Sequence, residues 1–90
     1  MIGRKLVEER LAACANIFPI TSIFRWKGSI DEANEFGIIV KTRSDRVKEI
    51  QERVKEIHSY EVPCVVSFKI DEASAKYLEW IQESVDDAKI

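Results

Sequence analysis

The stretch Ala15-Asn16-Ile17-Phe18-Pro19-Ile20-Thr21-Ser22-Ile23-Phe24-Arg25-Trp26, followed by Lys27-Gly28-Ser29, decides how this chain folds. Its β-branched and aromatic residues predict a long strand over residues 15–26. Phe18, Ile20, Phe24 and Trp26 share one face with Ser22, and Ile17, Thr21, Ile23 and Arg25 share the other. Pro19 withholds one ladder donor, which marks an edge position or a bulge. Lys27-Gly28-Ser29 supplies turn chemistry. A return strand follows over residues 35–42, with Phe36, Ile38 and Val40 on one face and Gly37, Ile39 and Lys41 on the other. The pair reads as a hairpin whose polar tip spans residues 29–34.

On either side of the hairpin the spacing turns helical. Leu6, Val7, Leu11 and Cys14 recur at three-to-four intervals, which predicts a helix over residues 3–13 with Cys14 at its apolar end. Residues 44–57 form the cleanest helical pattern. Ser44 is the expected N-cap, Val47, Ile50, Val54 and Ile57 form one apolar stripe, and Arg46, Lys48, Glu49 and their neighbours form a solvated charged face. Val62, Cys64, Val66, Phe68 and Ile70 alternate with Pro63, Val65, Ser67 and Lys69, so residues 62–70 read as a strand. Ser74 caps a last helix running to about Val85, with Tyr77, Leu78, Ile81 and Val85 on one side.

The predicted order is helix, strand, strand, helix, strand, helix. With one strand in front it becomes the ferredoxin-like unit, an α+β fold whose antiparallel sheet carries helices on one face. The chain is expected to be a single domain over residues 1–90 that lacks the first strand. Both sheet faces are apolar, since Ile17, Ile23, Ile39 and Val65 are set against the Phe36, Ile38 and Val40 face. A lone subunit would leave a large apolar patch bare, and a symmetric oligomer covers it.

The chain has 90 residues, 46% hydrophobic and 33% charged, a globular composition. Fourteen basic against 16 acidic residues give a net charge of -2, which argues against a general nucleic-acid partner. No apolar run is long enough to span a membrane, and the first residues carry no secretory leader, so a cytoplasmic location is expected. Two separated cysteines, Cys14 and Cys64, make no disulfide framework or zinc motif and read as small buried hydrophobes. Phosphate-loop, dinucleotide, zincin and nucleophile-elbow signatures are absent. The residues able to carry chemistry are Trp26, Lys41, His58, Tyr60, Glu61, Tyr77 and Trp80. Each has a structural reading beside a functional one: His58 ends a helix, where an imidazolium suits the dipole, and the tryptophans suit a core or interface.

Five motifs taken together are similar to the CutA family of divalent-cation tolerance proteins. They are Leu11-Ala12-Ala13-Cys14-Ala15-Asn16-Ile17, Trp26-Lys27-Gly28, Val40-Lys41-Thr42-Arg43, His58-Ser59-Tyr60-Glu61-Val62-Pro63 and Tyr77-Leu78-Glu79-Trp80. Each is weak alone; their order and spacing are specific. The resemblance implies a subunit folded like the signalling protein PII, a homotrimer closed through its sheets, no enzymatic activity, and a link to copper or another divalent cation. It places Trp26, Lys41, Tyr60, Tyr77 and Trp80 near clefts between subunits.

Three departures bear on function. The family's opening strand, of the type Ile-Val-Tyr-Thr-Thr, has no counterpart before the first helix. The family's proposed copper site takes a Cys from that strand and two consecutive His, where this chain has Ile57-His58. The family's Tyr-Trp-Trp-Glu-Gly reads Phe24-Arg25-Trp26-Lys27-Gly28, which turns a local negative charge positive. The metal donors this leaves are His58, with Glu61 as an oxygen ligand and Cys14 as a soft one, able to meet where copies converge. Two alternatives use the same surfaces: a PII-like sensor holding an anionic metabolite between subunits, and a trimeric anchor for another protein.

Overall fold

The structure, a computed structural model, describes residues 1–59 and 64–86. The α+β architecture expected from the sequence is present: the described residues form three α-helices and one antiparallel sheet. The sheet is a two-stranded ribbon of β1 (Cys14–Trp26) and β2 (Ser29–Lys41). Thirteen residues per strand at about 3.4 Å each account for the 46 Å long axis of the molecule.

Trp26 pairs directly with Ser29, so the turn is only Lys27 and Gly28. Both have positive φ, 49° and 83°, the signature of a type I′ turn whose twist matches the strands. Residues 29–34, expected as a polar tip, therefore continue β2. The register corrects the assignment of faces as well. Directly opposed residues of an antiparallel pair lie on one face, and Ile17 opposes Ile38 while Ile23 opposes Glu32. Ile17 and Ile23 thus join Phe36, Ile38 and Val40 on one face. Phe18, Ile20, Phe24, Trp26 and Ile39 make up the other. The inference of two apolar faces stands with a different membership.

Helix α1 (Ile2–Glu8) lies on the first face, so close that a Cβ on Gly3 would sit 3.2 Å from the Ala15 Cβ. It ends five residues earlier than the spacing predicts. Arg10 takes the left-handed conformation (φ 59°), its N–H donates to the Val7 carbonyl, and the Leu11 N–H donates to the Leu6 carbonyl. That is a Schellman stop made without glycine. It frees Cys14 to begin β1 rather than close the helix. A 3-10 turn (Ser44–Arg46) leads into α2 (Val47–Ile57). Arg43 occupies the cap position expected for Ser44, without a side-chain cap bond, and is forked to Asp45 at 3.0 and 3.2 Å.

Leu6, Ala12, Ile50 and Val54 form the main core, with Ile2, Leu11, Val40 and Val65 packed on it. Glu9 and Arg53 clamp α1 to α2 through two hydrogen bonds of 2.9 Å. A second cluster, Ala13, Ile81 and Val85 with Tyr77 beside it, seats α3 (Ala75–Ser84) at the base of the ribbon. The Ser74 hydroxyl accepts from the Tyr77 N–H, as an N-cap should.

The expected strand over residues 62–70 falls partly outside the described residues, and residues 64–70 form no ladder. Val65 alone of this segment is half-buried, and Phe68 is 89% exposed. Alternation prepares a segment to be a strand, but a strand also needs an edge at about 4.8 Å, and no described residue provides one here. Cys64 is exposed instead of buried, and Cys14 is half-buried.

The result is an open molecule. It exposes 7174 Å², where a compact monomer of its 10.4 kDa would expose roughly 5,400 Å². Its radius of gyration is 14.9 Å against about 12 Å for a compact chain of this length. Exposed apolar side chains lie both along the ribbon, where Ile23 and Phe36 are 70% and 72% exposed, and along residues 64–70, where Phe68 stands out.

Candidate functional site

The base of the ribbon gathers some of the residues singled out from the sequence. Lys41 is the last residue of β2 and stands opposite Cys14, the first of β1. The Thr42 hydroxyl donates to the Leu11 carbonyl at 2.6 Å, and the Ala13 N–H donates to the Lys41 carbonyl at 2.8 Å, so this corner is held on both sides. The Lys41 ammonium lies 5.8 Å from the centre of the Tyr77 ring, within cation–π range. One helical turn on, Trp80 lies 5.7 Å from Tyr77, tilted by 31°. The Ser84 hydroxyl donates to the Trp80 carbonyl at 2.7 Å. Tyr77 is half-buried by the small cluster beneath it, and Trp80 remains 45% exposed.

Lys41, Tyr77 and Trp80 therefore form one group: an ammonium above an aromatic shelf that faces solvent. Such a group suits a flat or anionic ligand. Trp26 is not part of it within one chain. It sits at the far end of β1, beside the turn, where its ring carries the Lys27 ammonium at 5.7 Å. His58 is the C-cap of α2, half-buried, its N–H bonded to the Val54 carbonyl at 2.8 Å. Tyr60 and Glu61 lie outside the described residues.

The described donors do not make a metal centre within one chain. A divalent transition-metal site takes three or four ligands in fixed geometry. Among the described residues no three of His, Cys, Asp and Glu converge. The Cys14 thiol is directed instead to the Asn16 amide oxygen at 3.6 Å. Glu9 is held below the usual carboxylate range by its hydrogen bonds to Arg53. That pair joins two helices and lies apart from the group at Lys41.

Sequence reasoning missed two contributors. Gly37 lies beneath Phe18, where an added Cβ would meet the ring at 2.7 Å, so the ring lies flat on the strand. The Phe18–Gly37 pairing in the register is the signal that reveals it. Arg46, expected on the solvated side of α2, is only 8% exposed and donates to the Val85 carbonyl at 2.9 Å and to Glu49 at 3.0 Å. Its partner lies 39 residues away, beyond the reach of any helical wheel.

Comparison with known proteins gives a consistent result. Residues 1–84 match the family model described as CutA1 divalent ion tolerance protein. The divalent-cation tolerance protein CutA of Archaeoglobus fulgidus is 47% identical over 94% of this chain and 83% of its own length, and its structure, described as periplasmic, superposes with a TM-score of 0.92. The Thermus thermophilus CutA is 46% identical over 92% of this chain and 82% of its own. A CutA of Nostoc described as PII-like is 30% identical and superposes at 0.89 over 93% of this chain and 83% of its own. No helix among the described residues is long and apolar enough to cross a membrane. The chain belongs to the CutA1 divalent ion tolerance family.

Proposed function

We propose that this chain is a non-enzymatic divalent-cation tolerance protein that works as a homotrimer. The observation that carries the reading is the bare ribbon: a face of Phe18, Ile20, Phe24, Trp26 and Ile39 on a molecule with roughly 1,800 Å² more surface than its mass requires. Soluble monomers avoid such patches, and closed symmetric assembly removes them. The flat Phe18–Gly37 pair supports sheet-to-sheet contact. A divalent ion, copper(II) among them, binds weakly through donors from more than one copy, with His58, Glu61 and Cys14 as candidates. This agrees with the names of the relatives and with the absence of three converging donors among the described residues of one chain. We place the protein in the cytoplasm, where its two thiols stay reduced.

Sedimentation equilibrium at micromolar concentration, with copper(II) titrated against wild type and His58→Ala, tests the reading. A trimeric mass and weaker binding by the variant are expected. A folded species of 10.4 kDa removes the assembly, and equal copper binding removes His58 from the site.

The Lys41, Tyr77 and Trp80 group favours a second reading, a PII-like sensor of an anionic metabolite completed by Trp26 and Tyr60 of neighbouring copies. Thermal-shift screening separates the two: stabilisation by metal ions supports the first and by metabolites the second.

A further inference from the structure

The seat of α3 differs from that of every other element. Its apolar side rests on its own small cluster, Ala13 with Tyr77, Ile81 and Val85, separate from the core that joins α1, α2 and β2. The preceding residues 64–74 form neither helix nor ladder, so among the described residues no strand leads into the helix. Two guanidinium groups hold its end instead. Arg46, from the 3-10 turn before α2, donates to the Val85 carbonyl at 2.9 Å, and Arg10, from the stop of α1, donates to the Ser84 carbonyl at 3.4 Å. The last carbonyls of a helix have no partner within it and carry the negative end of its dipole, so two cations there are well placed. Arg46 is the buried charged residue among those described, and Glu49 balances it at 3.0 Å.

Proteins open locally in contiguous units, and two separate clusters joined by a segment without a ladder offer a place for such a division. We propose that α3 is a releasable strap, latched at its C-terminal end by Arg46, which opens as a unit while α1, α2 and the ribbon remain folded. Release would withdraw Tyr77 from Lys41 and uncover Ala13 at the foot of the ribbon. The strap thereby sets whether the ammonium has its aromatic shelf. The inference stands on contacts within one chain and holds whichever ligand the protein takes.

Amide hydrogen exchange of the full chain, read segment by segment, tests it. In the wild type, amides of residues 78–85 should exchange faster than those of the paired ribbon base and of the middle of α2. Arg46→Ala removes a charge-assisted bond to a buried carbonyl and should speed exchange in α3 by roughly 10- to 100-fold, leaving the last turns of α2 and the ribbon unchanged. Arg46→Lys, which keeps the charge and loses the fork, should fall between. Equal acceleration in α3 and α2, or none in α3, overturns the latch. If Arg46→Ala does not fold, the wild type decides alone: equal protection of α3 and α2 means that α3 does not open separately.

Discussion

Replacing Ile39 by lysine tests the assembly where the structure makes the sharpest claim. Ile39 lies on the face of Phe18 and Ile20, opposite Asn16, and is already more than half exposed in the single chain. Ile39→Lys should therefore change the fold of one copy little, within about 0.5 kcal/mol, as surface substitutions do. Association is another matter. The chain exposes 7174 Å², roughly 1,800 Å² above a compact monomer, twice the ~800 Å² that each partner contributes to a standard interface. A lysine ammonium shut into that contact without a counter-ion costs on the order of 3–5 kcal/mol, or two to three and a half orders of magnitude in the association constant. Sedimentation velocity across the micromolar range should show wild type assembled and Ile39→Lys largely as single copies with unchanged far-ultraviolet dichroism. Glu52→Lys, on the solvent side of α2, serves as the control and should assemble normally. A wild type that sediments as a folded single copy, or an Ile39→Lys variant as heavy as the wild type, refutes the reasoning.

The turn gives a prediction of opposite sign. Lys27 holds a positive φ of 49° that asparagine adopts readily, so Lys27→Asn should raise the free energy of urea unfolding by about 0.5–1 kcal/mol, whereas Gly28→Ala at φ 83° should lower it by about 1–2 kcal/mol. Leu6 is almost fully buried between α1 and α2, and Leu6→Ala should cost about 3–5 kcal/mol in the same assay, a large share of the stability of a domain this size. The acidity of Glu9 is linked to pH in one direction. Its carboxyl is depressed in the folded state by Arg53, so its contribution is complete above the ordinary carboxylate range and is lost as pH falls through and below that range. Glu9→Gln should lower stability in the neutral region, where the pair is intact, and leave the acid end nearly unchanged, so that the acid limb flattens; a curve that keeps the wild-type shape would show that the pair is too solvated to matter.

What could be read from the sequence depended on how far each determinant lay from the residue it governs. The hairpin was legible because alternation and Lys27-Gly28 are local, and Ser74 was legible because its partner is three residues away. The face of Ile17 was not, because it depends on pairing with Ile38, which the turn length fixes and alternation leaves open. The early stop of α1 was missed because Arg10 supplies the left-handed residue that glycine usually signals. Arg46 was misplaced because its partner is the end of another helix. Residues 64–70 show the limit most plainly. Val66, Phe68 and Ile70 carry every mark of a strand, yet backbone polarity is satisfied between chains of residues, not within one, and no described edge stands beside them. The candidate site divides in the same way. Tyr77 and Trp80 lie one turn apart on α3 and meet by helical geometry, while Trp26 is held a whole ribbon away. The 13-residue strands that keep Trp26 from Lys41 in one copy also project its ring beyond the helices, where another subunit would meet it. If the proposed site uses both ends of this ribbon, it closes only between copies, and on that reading assembly becomes a condition for function as well as a remedy for exposed surface.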